Sequence, residues 1–178
     1  MSVSSLPTRH VRVGLPHFFR ESEASTGYGS SRRHNRLPRS LAFARCLQGL
    51  LNLARHPSDL LLNIADRCLE PTGPQQWGTQ LLPALQLEVH VFTDGKHQLA
   101  DVLGQFRGQI HVHQLQLEDP RQLALACRDH LIAADPVVDL TVYSEDDLVI
   151  HDPLFFDKQL WFLGNTKHQA VLMPTAMS

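Results

Sequence analysis

Apolar residues along this chain alternate between two spacings, and the switches mark its elements. Val11 and Val13 flank Arg12 before a Gly-Leu-Pro break, so "VRVGLPHFF" (11–19) reads as a short strand entering a loop. The polar stretch 20–36, with Gly27 and Gly29, is a solvated loop or one that orders around a ligand. Pro38 and Ser40 open a helix in which Phe43, Leu47, Leu50, Leu51 and Ala54 form one stripe, and Pro57 closes it. "SDLLLNIADRCLE" (58–70) reads as a second helical piece capped by Ser58, and "PTGPQQWG" (71–78) is the clearest break. Beyond it the pattern predicts a strand at 87–95, a helix at 97–106 and a strand at 109–117. A helix follows at 119–135, with Asp119 as cap, Pro120 in the first turn, and Leu123, Cys127, His130 and Leu131 on one face. A strand at 137–143, a helix at 154–163 and a last strand at 169–174 complete the series.

Strands alternating with helices of this length indicate βαβ units and a mainly parallel α/β sheet. Ligands of such sheets bind beyond the carboxyl ends of the strands. That rule places the loop after Phe19, the turn at Asp94 and the turn at 145–147 on one rim.

A length of 178 residues fits one domain. The net charge of −2 offers nothing to attract a nucleic acid. No segment approaches the roughly 18 uninterrupted apolar residues of a membrane span, and "MSVSSLPTRH" has no apolar signal core, so no transmembrane segment is expected. Cys46, Cys68 and Cys127 lack metal-ligand spacing and sit among apolar neighbours. They read as reduced, buried thiols of a cytoplasmic protein.

Glu145, Asp146 and Asp147 follow one another in "TVYSEDDLVIHDPL" (141–154) and repel one another. Water alone, nearby arginines or a divalent metal could face them. In extended chain Glu145 and Asp147 point the same way and could converge on Mg2+ or Mn2+; an acidic turn facing water is the alternative. Asp94 precedes Gly95, as in many turns, and its carboxylate could also accept from a ribose or a base edge. Arg128 is a solvated helix arginine or a holder of phosphate or a base carbonyl. Arg20, Arg32, Arg33, Arg36 and Arg39 crowd the start of the first helix, a plausible phosphate site.

His111 and His113 have the spacing of a metal-hydrolase pair. They lie mid-strand with no further ligand at a suggestive position, and read as structural or surface histidines. His151 and Asp152 either join a metal site or begin the turn before Pro153. No Gly-x-Gly-x-x-Gly follows the first strand, which argues against a plain NAD-binding domain.

"FTDG", "LACRDHLIAADPVVDLTVYSEDDLVI", "FFDKQLWFL" and "VLMP", in that order, resemble the nucleotide-sugar-dependent glycosyltransferases of the GT-A fold. Arg128 matches the helix position of that family, and Glu145, Asp146 and Asp147 match its DXD-type motif, often written EDD. "VGLPHFF" resembles the first, nucleotide-contacting strand, and Asp94 the acidic position that often touches the base. The resemblance covers most of residues 11–174.

It implies a Rossmann-like three-layer α/β/α fold, with residues 1–10 as a flexible N-terminus and 11–178 as a single domain. Glu145 and Asp147 would hold Mn2+ or Mg2+, while Asp94, Arg128 and Asp146 would bind a UDP- or GDP-linked sugar donor. The implied activity is sugar transfer to the hydroxyl of an unknown acceptor. Relatives continue past the point where "LMPTAMS" ends, so the chain is expected to be a truncated donor half with no assignable catalytic base. A missing half would expose apolar sheet surface and invite homo-oligomers. The alternative is a non-catalytic or degenerate nucleotide-binding or assembly module.

Overall fold

The computed structural model describes residues 7–21, 35–56, 60–71 and 82–172. Its centre is β1 (Arg9–Pro16), which takes in Arg9 and His10 from the stretch expected to be flexible. Val11, Val13 and Leu15 are buried on one face of β1, and Arg12 is buried on the other. That arginine is tolerated because its Nε meets Glu88 Oε2 at 2.9 Å and one terminal nitrogen donates to the Pro136 carbonyl at 3.2 Å.

Three parallel partners complete the main sheet: β4 (Leu85–Thr93), β5 (His111–Gln114) and β6 (Leu140–Tyr143). The strands lie in the order β5-β4-β1-β6. β1 pairs with β4 from Arg9↔Leu85 to Pro16↔Phe92, and with β6 from Val11↔Leu140 to Gly14↔Tyr143. The chain builds outward from β1 through β4 to β5, then returns to the other side of β1 as β6. The order therefore reverses between β1 and β6, where open α/β sheets place their ligand crevice.

Helices cover both faces. α1 (Arg36–Leu51) and α2 (Ala100–Gln105) join the larger core around Val11, Val13, Leu15, Val89 and Val91, and α4 (Phe155–Asn165) adds Phe156. The predicted stripe is correct for Phe43, Leu47 and Leu50, which are fully enclosed. α3 (Leu123–Ala133) covers the opposite face with Leu123, Cys127 and Leu131 against Phe92. Asp119 starts this segment as expected, accepting from the Arg121 backbone N–H at 3.0 Å, and a 3-10 turn at Pro120–Gln122 leads into the helix. The architecture is α/β, with helices on both faces of a parallel four-stranded sheet, an arrangement compatible with a Rossmann-like fold.

The sequence pattern fails in two places. The second helical piece at 58–70 is instead an antiparallel hairpin of β2 (Leu60–Asn63) and β3 (Cys68–Pro71); Ser58 lies outside the described residues. Asn63 makes the turn: its side chain accepts from the Asp66 N–H at 3.2 Å and donates to Asp66 and Glu70 at 2.9 Å. A short polar side chain that bonds the nearby backbone competes with helix in this way. The hairpin leaves Leu60, Leu61, Leu62, Ile64 and Leu69 exposed. Cys68 is exposed on β3 too, against the expectation of a buried thiol. The last predicted strand, 169–174, forms no strand over 169–172, and 173–174 lie outside the described residues.

Candidate functional site

The carboxyl rim at the strand reversal is built from four segments that converge on His17. Beyond β1, the His17 N–H donates to the Phe92 carbonyl at 2.8 Å and the Phe19 N–H to His97 at 2.8 Å, tying the β1 exit to the β4 exit. The His17 ring is fully enclosed and stacks on Phe43 of α1 at 4.0 Å, with the planes 4° apart. Its Nε2 accepts from the Leu99 N–H at 3.0 Å, and its Nδ1 lies 2.6 Å from Asp146 Oδ2. A ring nitrogen that accepts carries no proton, so the proton of His17 sits on Nδ1 and is donated to Asp146.

Arg39, in the first turns of α1, supplies the positive charge that the acidic turn requires. One terminal nitrogen meets Asp146 Oδ1 at 2.8 Å and the other meets Asp147 Oδ2 at 2.9 Å. Of the three candidate partners, an arginine answers for two of the three carboxylates. The charge of the turn therefore does not by itself demand a metal. Burial opposes the charge on Arg39, but Asp146 and Asp147 outweigh it and raise the guanidinium pKa. Burial likewise pushes the Asp146 carboxyl up, yet the hydrogen bond from His17 and the charge of Arg39 leave it below the usual carboxylate range. Both Asp146 oxygens are occupied, which makes it a positioning residue rather than the free ligand-binding group the sequence suggested. Glu145 is exposed, and Asp147 remains 43 % exposed beside Arg39.

The 145–150 segment reaches Arg39 because Gly49 lets it lie against α1. A Cβ on Gly49 would come within 3.1 Å of Val149 Cγ1 and 3.5 Å of the Ile150 carbonyl. Beneath it, Cys46 points its Sγ at the Glu145 carbonyl at 3.7 Å, and burial with the nearby Asp146 charge pushes this thiol up to about 12.

Asp94 lies on the same rim but is engaged locally. Its Oδ1 accepts from the N–H groups of Lys96 and His97 at 2.9 and 2.7 Å, and its Oδ2 meets His97 Nδ1 at 2.6 Å. Burial raises its pKa, and the His97 and Lys96 donors more than reverse that. Gly95, at φ +75°, completes the turn. The turn reading therefore accounts for Asp94. Arg128 is exposed on α3 and binds Asp129 at 3.0 Å, without joining the acidic turn. Arg36 is shared between Glu21 at 3.0 Å and Asp101 at 3.3 Å; Arg32 and Arg33 lie outside the described residues. Asp152 starts α4, accepting from the Leu154 N–H at 3.0 Å and meeting Lys158 Nζ at 2.6 Å, so it belongs to a helix start rather than a metal site.

His17 was missed as a site residue, although "PHFF" immediately after the first strand put a histidine at the rim. The reading of His111 and His113 as lacking further ligands is also overturned for His113. His90 of β4 and His130 of α3 stand beside it, and among the described residues these three form the one grouping whose donor atoms all lie within 4.8 Å of one another. The acidic turn does not make such a group.

Fold and rim together define an α/β protein with a four-stranded parallel sheet, compatible with a Rossmann-like fold, and polar side chains gathered at its strand reversal. Comparison with protein families, curated proteins and solved structures finds no match for the chain.

Proposed function

We propose that the chain is a nucleotide-diphosphate-sugar-binding domain of the GT-A kind, belonging to a metal-dependent glycosyltransferase. The observation that carries this reading is the placing of the Glu145–Asp147 turn at the carboxyl end of β6, across the strand reversal from the exit of β1. A nucleotide in this position lies along the strand reversal, with its diphosphate over the turn.

Glu145 and the outward oxygen of Asp147 are hard donors of the type Mg2+ and Mn2+ take, usually with phosphate oxygens completing the set. Such an ion supplies charge stabilisation for the departing diphosphate. Asp146, His17 and Arg39 hold the turn in place. Asp94 shapes the loop facing the nucleoside, and Arg128 is a further cation for the diphosphate or base.

Calorimetric titration with UDP- and GDP-sugars, with and without Mn2+, tests this reading. Binding is expected only with the metal, and Asp147→Ala abolishes it while leaving the circular dichroism spectrum unchanged. Equal affinity of the variant for the metal–nucleotide complex would rule the reading out.

A second reading, a binding module without turnover, rests on the carboxylates after the turn. Asp152 and Asp157, the carboxylates that next follow the turn, are both held by cations. Asp152 is paired with Lys158 at 2.6 Å, and Arg55 grips both oxygens of Asp157 at 2.8 Å. Donor binding without transfer or hydrolysis across a nucleotide-sugar panel selects the module; turnover eliminates it.

A further inference from the structure

The face of the sheet under α3 carries a cluster that the rim does not use. In β4, Glu88, His90 and Phe92 point to this face, opposite the core valines Val89 and Val91. The β4–β5 register sets His111 beside His90 and His113 beside Phe92. His130 comes down from α3, two turns after Leu123 on the same apolar face. His90 Nδ1 and His113 Nε2 are 2.9 Å apart, and the His130 ring lies 4.7 Å from His113 and 6.2 Å from His90.

Three imidazoles this close are a poor arrangement for packing alone. Burial and the neighbouring His111 and His113 push the His90 pKa down to about 4, and burial with His130 and His111 lowers that of His113. Both rings therefore present lone pairs at neutral pH, and one shared proton between His90 and His113 satisfies a single contact. His90 Nε2 is buried with no hydrogen-bond partner, 3.5 Å from Glu88 Oε2. A cation bound at His90 Nδ1 would strengthen the Nε2 proton as a donor toward that carboxylate, the arrangement metal-bound histidines commonly have. Glu88 also binds Arg12 Nε at 2.9 Å, which balances the nearest fixed positive charge.

We propose that His90, His113 and His130 form a three-imidazole site for Zn2+, with the fourth position open to water. Imidazole nitrogens suit borderline ions such as Zn2+ rather than Mg2+ or Ca2+. Zn–N bonds of about 2.0–2.1 Å in a tetrahedron put the nitrogens about 3.3 Å apart. Donor atoms already within 4.8 Å of one another reach that spacing through side-chain adjustment. β5, which carries His113, is an edge strand of the sheet. The site is separate from the acidic turn, because β1 stands between β4 and β6.

The test uses the full chain without a histidine tag, stripped with a chelator and titrated with Zn2+ against a competing dye. One equivalent should bind, and X-ray absorption should show imidazole scattering around a low-coordinate ion. His113→Ala and His130→Ala should each weaken binding by more than about a hundredfold, and Glu88→Gln by about tenfold. His151→Ala, outside the cluster, should change nothing. Because His113 also packs on Phe92, thermal melting of each stripped variant checks folding. His130→Ala is the variant that keeps the test decisive if His113→Ala unfolds. Failure of the stripped protein to bind Zn2+, or unchanged affinity in a folded His130→Ala variant, would overturn the site.

Discussion

At the residue scale, Arg39 holds Asp146 and Asp147 together while His17 approaches Asp146 from the enclosed side. Asp146→Asn removes a charge from a nearly enclosed pair and should cost about 2–3 kcal/mol, less than for a sealed pair because Arg39 keeps Asp147. The pH dependence has a fixed sign. A carboxyl whose folded pKa lies below its ordinary 3.8 stabilises the fold above that value, and this contribution is lost as pH falls through the folded pKa. The stability gap between wild type and Asp146→Asn, measured by urea unfolding, should be full at pH 7 and close in strong acid. A gap independent of pH would mean the carboxylate is not held as an anion. None of these pairings was legible in the sequence. It displayed Arg39 among five candidate phosphate-binding arginines and Asp146 among three acids, but the residues are separated by 107 positions. Only the fold decides which charges meet.

At the element scale, β1 and β4 were readable because central parallel strands are runs of β-branched and aliphatic residues bounded by turn signals, and the edge strand β6 from the alternation within "VVDLTVY". α1 and α3 were readable from their stripes. The hairpin at 60–71 was not, because "LLLNIA" fits a buried helix face as well as a strand. The Asn63 turn tips the balance through bonds that composition does not display. β1 also carries a constraint invisible to periodicity: Gly14 lets α3 pack directly on the strand. A Cβ there would stand 2.5 Å from Leu131 Cδ1 and 3.0 Å from Cys127 Sγ. Gly14→Ala should therefore lower stability by about 1–2 kcal/mol, with a lower urea midpoint and an unchanged slope. An unchanged midpoint would show that α3 yields more easily than this packing suggests.

For the molecule as a whole, the parallel sheet places the acidic turn and the β1 exit on one rim, and the histidine cluster on a face. Among the described residues no helix is long and apolar enough to cross a membrane. The rim was legible in outline, since strand alternation alone pointed to the loops after Phe19, Asp94 and Tyr143. The histidine cluster was not, because His90, His113 and His130 come from three elements joined only by register and helix packing. The central claim is that a nucleotide diphosphate lies at the reversal between β1 and β6, held through Glu145 and Asp147. A crystal structure grown with Mn2+ and UDP or GDP tests it most directly. The account predicts an anomalous manganese peak bridging the diphosphate and the two carboxylates. A rim unchanged from the Arg39-paired arrangement, with Glu145 in solvent and no diphosphate above it, would contradict the account.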